Sequence, residues 1–352
     1  MSEQRFIVAL TADFYDSTGS PKYQEIGLSV LGEHGHITQR VFKEHRREIG
    51  PDQIADAQGV IVLTPAVTAA SVSQAKDLLV ISRFGVGYDA VDVKACTASD
   101  VLVTITMGAV DRPVAEATIG WMIALSHNMR IKDGLVRTGQ WDERSKHMGR
   151  ELRDRTLGVI GLGGIARKTL ELLQAFGMNQ PLAFDPFVTE EAAARQGARP
   201  VSLEQLLRES DFISIHCPLT EHTRGLIGSN ELRLMKPDAF LLNTARGGIV
   251  DEDALYDALK NHRIAGAALD CFAQEPITTP PRWGELDNVL LAPHSIAWTH
   301  EMFRDIGRTA CQVMVDLSLG NRPRSVLNPE VFDRPGFSEK WNRLKRDRAS
   351  GI

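Results

Sequence analysis

Short apolar runs alternate with polar or helix-spaced stretches along the chain. In the first hundred residues the runs fall at 6–10, 60–63, 78–82 and 101–104. They read as parallel strands in β/α alternation. From Pro113 to about Met129 the spacing of Val114, Thr118, Trp121, Met122 and Leu125 predicts a long helix. Residues 130–156 read as polar and irregular, and include Trp141. A second, stronger alternating series begins at Leu157, with predicted strands at 157–160, 212–215, 240–243, 267–270 and 289–291. A last helix, about Thr299 to Leu319, is able to return the chain to the first series. The basic stretch 337–348 contains one Trp and predicts a solvated terminal helix.

The run Leu157 to Ile160 ends at Gly161-Leu162-Gly163-Gly164-Ile165-Ala166, a G-x-G-x-x-A loop before a helical segment. In such a loop the first glycine allows a tight turn and the second admits a pyrophosphate. The small last residue lets helix and strand pack closely. The helix then directs unpaired N–H groups at the phosphates. Asp185 closes the next apolar run, in Leu182-Ala183-Phe184-Asp185-Pro186. There an acid accepts from the adenosine ribose hydroxyls and opposes a 2′-phosphate, and residues 186–189 hold no arginine to neutralise it. A glycine-rich turn alone is weak evidence. Strand, glycines, helix, strand and acid in order predict dinucleotide binding, with NAD preferred over NADP.

A length of 352 residues suits about two domains. With one fingerprint and two series, the predicted fold class is α/β with two Rossmann-like domains and parallel sheets. The dinucleotide-binding domain, 113–301, is inserted into a discontinuous substrate domain, 1–112 and 302–335, with the cleft between them. Residues 336–352 form a basic tail.

A hydrophobic share of 43% with 24% charged residues supports a full core. The net charge of −5 offers no reason for nucleic-acid or membrane-surface binding. No apolar stretch is long enough to span a bilayer, and no secretory pattern opens the chain. Cys96, Cys217, Cys271 and Cys311 lack C-x-x-C spacing, so free thiols in a reducing cytoplasm are expected rather than disulfides or a metal site.

Three strand ends carry candidate chemistry. Arg246 follows the 240–243 run in Asn243-Thr244-Ala245-Arg246-Gly247. Asp270 and Glu275 follow the next run, and His294 follows the last in Pro293-His294-Ser295. Singly, they read as a surface ion pair, a turn residue and a packed core histidine. Together on the carboxyl edge of one sheet they read as a site.

From about residue 60 to 329 the sequence closely resembles the D-isomer-specific 2-hydroxyacid dehydrogenases, a family that includes phosphoglycerate dehydrogenases and glyoxylate/hydroxypyruvate reductases. The resemblance lies in Gly85-Val86-Gly87-Tyr88-Asp89, Val114-Ala115-Glu116, the dinucleotide loop, Phe184-Asp185-Pro186 and His216-Cys217-Pro218-Leu219-Thr220. It continues through Asn243-Thr244-Ala245-Arg246-Gly247, Glu275-Pro276, Pro293-His294 and Leu327-Asn328-Pro329. It implies His294 as general acid/base, Glu275 as the acid that supports its imidazolium, and Arg246 as the holder of the substrate carboxylate. Backbone N–H groups near Val86 and Gly87 would bind the other side of that carboxylate. The implied cofactor contacts are Gly161, Gly163, Gly164, Ile165, Asp185, Cys217, Pro218, Thr223, Thr244, Ala245, Arg246, Asp270 and His294, with Asp270 accepting from the nicotinamide carboxamide. A homodimer through residues 113–150 is also implied.

Ala90, Met107 and Gly164 depart from the family's usual residues without removing a catalytic group. The 64–71 loop, Thr64-Pro65-Ala66-Val67-Thr68-Ala69-Ala70-Ser71, has no cation for a phosphate. Arg112 is the nearby candidate, with an ion pair to Asp111 as its structural reading. A small unphosphorylated 2-hydroxy or 2-keto acid is therefore the expected substrate, and 3-phosphoglycerate the alternative. An NADH-sensing corepressor-like scaffold is the alternative of another class. Glu275 stands where formate dehydrogenases carry Gln and argues against that activity.

Overall fold

The computed structural model describes residues 5–349, and side chains through residue 345. The chain divides into two compact units, Met1–Val110 with Trp298–Ile352, and Asp111–Ala297.

The first unit holds a parallel sheet of β1 (Phe6–Leu10), β2 (Ile37–Val41), β3 (Gly59–Val62), β4 (Val80–Arg83) and β5 (Leu102–Thr104), in the order β2-β1-β3-β4-β5. The sequence pattern misses β2. It is an edge strand of Ile-Thr-Gln-Arg-Val with no fully buried residue, so burial left no apolar run to read. The helix His300–Leu319 and the segment after it rejoin this unit. Asn328, nearly fully buried, fixes the return. Its Oδ1 accepts from the Val103 N–H at 2.8 Å and its Nδ2 donates to the Val101 carbonyl at 2.9 Å.

The C-terminal helix, Pro335–Ala349, is not solvated as its charge suggested. Phe337 is buried against the rings of Phe332 and Trp341, 5.5 and 5.4 Å away. Trp341 Nε1 donates to the Leu317 carbonyl at 2.9 Å, and Lys340 Nζ donates to the Ser99 carbonyl at 2.8 Å. One apolar face among many charges was enough to dock it.

The second unit holds β6 (Leu157–Ile160), β7 (Leu182–Phe184), β8 (Arg199–Pro200), β9 (Phe212–Ile215), β10 (Phe240–Asn243), β11 (Gly266–Leu269) and β12 (Val289–Leu291). All pair in parallel, in the order β12-β11-β10-β9-β6-β7-β8. Strands β6, β9, β10 and β11 are buried along their whole length, which explains their unbroken apolar runs. Alternate residues feed two cores. Leu241 and Ala267 enter one, Leu242 and Ala268 the other.

The order turns back between β6 and β9. In open α/β sheets such a switch point leaves a crevice at the carboxyl ends of the strands. The register aligns those ends, with Ile160 opposite Phe184 and Ile215, and Leu269 opposite Asn243 and Leu291. Residues that follow these strands therefore emerge on one edge.

The long helix expected from Pro113 runs instead from Asp111 to Ser126. Asn128 adopts a left-handed φ of 52°, and a second helix covers Met129–Arg137. A 3-10 turn, Trp141–His147, follows, so the region read as irregular is largely helical. No helix among the described residues is long and apolar enough to cross a membrane.

Candidate active site

The glycine loop follows β6. Gly161 has a φ of +92°, and a Cβ there would lie 2.8 Å from the backbone nitrogen of Cys217. Only glycine lets this turn lie against the end of β9. Gly163 is the extended N-cap of the helix Gly164–Leu173, with open space where a Cβ would point. No side chain caps this helix. Its first-turn N–H groups, Ile165 included, remain available to an anion.

Asp185 braces the same loop. Oδ2 accepts from the Leu162 N–H at 2.8 Å and Oδ1 from the Phe187 N–H at 2.9 Å. Each carboxylate oxygen keeps a second acceptor position. Cys217 and Pro218 follow β9, and burial pushes the Cys217 thiol up to about 11. Thr223 closes the next turn, its hydroxyl donating to the Pro218 carbonyl at 2.6 Å and accepting from the Thr220 N–H at 2.7 Å. Just before Cys217, burial lowers His216 to about 4, so the ring is neutral. Its Nε2 lies 2.9 Å from Ser214 Oγ. The sequence reading gave His216 no role of its own.

Beyond β10, the Thr244 Oγ1 is buried with no hydrogen-bond partner among the described residues. Arg246 Nη1 donates to the Ala245 carbonyl at 2.6 Å. A Cβ on Gly247 would overlap the Phe272 carbonyl at 1.9 Å, so glycine permits the β10 and β11 loops to touch.

Glu275 and His294 meet across the ends of β11 and β12. Glu275 Oε2 lies 2.7 Å from His294 Nδ1, and its Oε1 accepts from the Phe272 N–H at 2.8 Å. Burial raises the Glu275 carboxyl. The His294 and Phe272 hydrogen bonds, with the fields of His294 and Arg246, outweigh that and hold it below its ordinary range. An ionised carboxylate only accepts, so Nδ1 is the donor in this pair.

Asp270, expected as a cofactor contact, also holds backbone. Its Oδ1 accepts from the backbone N–H groups of Ser295 and Ile296, at 2.8 and 3.2 Å. It thereby anchors the chain just after His294, whose φ is +53°. Burial raises the Asp270 carboxyl, opposed by these two bonds.

Val86 and Gly87 lie after β4 in the first unit, in a turn opened by Gly85 with a φ of +136°. The sequence reading passed over Arg83, whose guanidinium donates to the Phe84 carbonyl beside this turn. The signal was present, a cation at the end of a buried strand. Arg112 pairs with Glu116 at 2.7 Å, not with Asp111. Helical i,i+4 spacing explains the choice. Trp141 is exposed. Trp298 packs edge-on against Phe303 in the first unit.

A family model for the D-isomer specific 2-hydroxyacid dehydrogenase NAD binding domain matches residues 119–295. The chain is 38% identical over 323 residues to a D-3-phosphoglycerate dehydrogenase of Methanocaldococcus jannaschii, covering 91% of this chain and 60% of that protein. It thus spans about three-fifths of that relative's length. It is 35% identical over 322 residues to a glyoxylate reductase of Korarchaeum cryptofilum, covering 89% and 96%. The crystal structure of an Aquifex aeolicus D-lactate dehydrogenase, complexed with NAD and lactic acid, superposes with a TM-score of 0.76 at 27% identity. That match covers 89% of this chain and 96% of the other. The chain belongs to the D-isomer specific 2-hydroxyacid dehydrogenase family and carries its NAD-binding domain.

Proposed function

We propose that the chain is an NAD-dependent oxidoreductase that interconverts a small, unphosphorylated D-2-hydroxy acid and its 2-keto acid. The observation that carries this reading is the 2.7 Å pair of His294 Nδ1 and Glu275 Oε2 at the carboxyl edge of the sheet that holds the glycine loop.

The residues present fit a dinucleotide. The uncapped helix after Gly163 suits a pyrophosphate, Asp185 retains acceptor capacity for ribose hydroxyls, and the orphaned Thr244 hydroxyl lacks a partner that a bound group would supply. Gly161, Gly164, Ile165, Cys217, Pro218, Thr223 and Ala245 would complete the contacts. The nicotinamide, when bound, supplies hydride chemistry. His294 Nε2 gives a proton to the keto oxygen in reduction and takes it from the hydroxyl in oxidation, while Glu275 holds the ring and its charge. Arg246 binds the substrate carboxylate through its planar fork. In the first unit, the backbone N–H groups at Val86 and Gly87 are the proposed substrate-binding groups. The first unit is the proposed substrate domain and the second the cofactor domain.

The cation-free 64–71 loop and the Arg112–Glu116 pair support an unphosphorylated substrate. A homodimer and a cytoplasmic location complete the proposal. Met129, Val136, Trp141 and Met148 expose an apolar surface along one segment of the second unit, consistent with a second copy. One observation favours a second reading, 3-phosphoglycerate. Arg83 places a cation beside the 85–87 turn.

The test is NADH oxidation with glyoxylate, hydroxypyruvate, pyruvate, longer 2-keto acids and 3-phosphohydroxypyruvate. A higher kcat/KM for an unphosphorylated acid is expected. A clear preference for the phosphorylated compound, lost on Arg83→Ala, would establish the second reading instead.

A further inference from the structure

Cys271 lies two residues beyond β11, close to the Glu275–His294 pair. It is 2% exposed, and its Sγ approaches the Ala245 carbonyl at 3.4 Å. One donor atom each from Cys271, Glu275 and His294 falls within 4.8 Å of the others. Glu275 and His294 are partly exposed, whereas Cys271 is buried.

We propose that Cys271, Glu275 and His294 bind one divalent cation of the zinc class, and that this ion switches off the enzyme by occupying its proton-transfer pair. The inhibitory part rests on the function proposed above. The binding part does not.

Three arguments converge. A zinc ion takes sulfur at about 2.3 Å and imidazole nitrogen at about 2.0 Å, so small side-chain rotations bring donors at this spacing onto one ion. The donor set is one thiolate, one imidazole and one carboxylate, which selects zinc or cadmium over magnesium and calcium. The charges also match. Thiolate and carboxylate together balance a divalent cation, while the nearby Asp270 and Arg246 oppose each other in sign. On binding, the thiol releases its proton to solvent, and the His294 nitrogen that takes the ion gives up any proton it carries to the other ring nitrogen or to solvent. The carboxylate, already ionised, completes three protein ligands. Water takes the fourth position. The histidine then has no proton-transfer role until the ion leaves.

The experiment titrates the full chain with Cd²⁺, without cofactor or substrate, and follows ultraviolet cadmium–thiolate absorption. The expected result is a band saturating near one equivalent. It disappears in Cys271→Ser and persists in Cys217→Ser. Glu275→Gln keeps Cys271 but weakens Cd²⁺ binding by about tenfold or more. Absence of the band, its survival in Cys271→Ser, or unchanged affinity in Glu275→Gln overturns the site. Because no turnover is read, this outcome is independent of the proposed activity. In a separate arm Zn²⁺ is added to the NADH-oxidation assay, where Cys271→Ser should resist inhibition by about tenfold or more. Equal sensitivity of wild type and Cys271→Ser overturns the inhibitory role alone.

Discussion

Asp270 Oδ1 accepts the backbone N–H of Ser295 at 2.8 Å, tying the end of β11 to the residue after His294. Ile296 adds a second N–H to the same oxygen. The left-handed backbone of His294 is thus held from its C-terminal side, while Glu275 holds its ring. Asp270→Ala strands both N–H groups. The expected cost is about 1–3 kcal/mol of stability, and kcat falls by about 10–100-fold through misplacement of the imidazole. Burial already disfavours charge on Asp270. Asp270→Asn, which keeps the acceptor, should therefore recover most of the stability and part of the turnover. Chemical denaturation and steady-state kinetics on both variants check this. Equal damage from Ala and Asn would assign the residue to charge rather than position.

Glu275 and His294 predict a paired pH response. His294→Ala should lower kcat by about 10²–10⁴-fold. Near-native turnover would remove it from the mechanism. The Glu275 carboxyl is held below its ordinary range in the folded state. Its stabilising contribution is therefore present above the usual glutamate range, about pH 4, and is lost as pH falls through the folded value. The gap in Tm between wild type and Glu275→Gln should narrow on acidification. In keto-acid reduction the same variant should lose activity from the alkaline side first, because the charge favouring an imidazolium is gone. Thermal melts and rate profiles across pH give the two readouts.

Cofactor choice should depend on Asp185. A 2′-phosphate beside its carboxylate meets like charge, so NADH should exceed NADPH in kcat/KM by about 10²-fold or more. Asp185→Ala should collapse that ratio. It also releases the Leu162 and Phe187 N–H groups, so KM for both cofactors should rise. A native preference for NADPH would reverse the assignment.

The C-terminal helix predicts a purely structural effect. Phe337 is fully buried between Phe332 and Trp341. Phe337→Ala should cost about 3–5 kcal/mol in denaturant unfolding. Loss below about 1 kcal/mol is what a solvated helix would show.

The second unit was legible in the chain because its central strands are buried on both faces. Such strands are apolar along most of their length, so 157–160, 212–215, 240–243 and 267–270 stand out without any partner being known. The glycine loop was legible for a related reason. A backbone that must adopt a positive φ against Cys217 admits few residues at position 161. Strand β2 and the docked terminal helix were not legible. An edge strand and a one-sided helix bury too little for burial to dominate their composition.

Local pattern also placed Arg246, Glu275 and His294 after strands, but no local rule says that those strands are neighbours. Adjacency of β10, β11 and β12, and their shared register, came from the sheet. The same packing gave Asp270 its backbone partners and brought Cys271 close to the Glu275–His294 pair. Hydrophobic periodicity reports how deeply a residue is buried. Which groups meet at 3 Å depends on loops whose paths are decided by contacts distant in sequence, and these exist only in the folded chain.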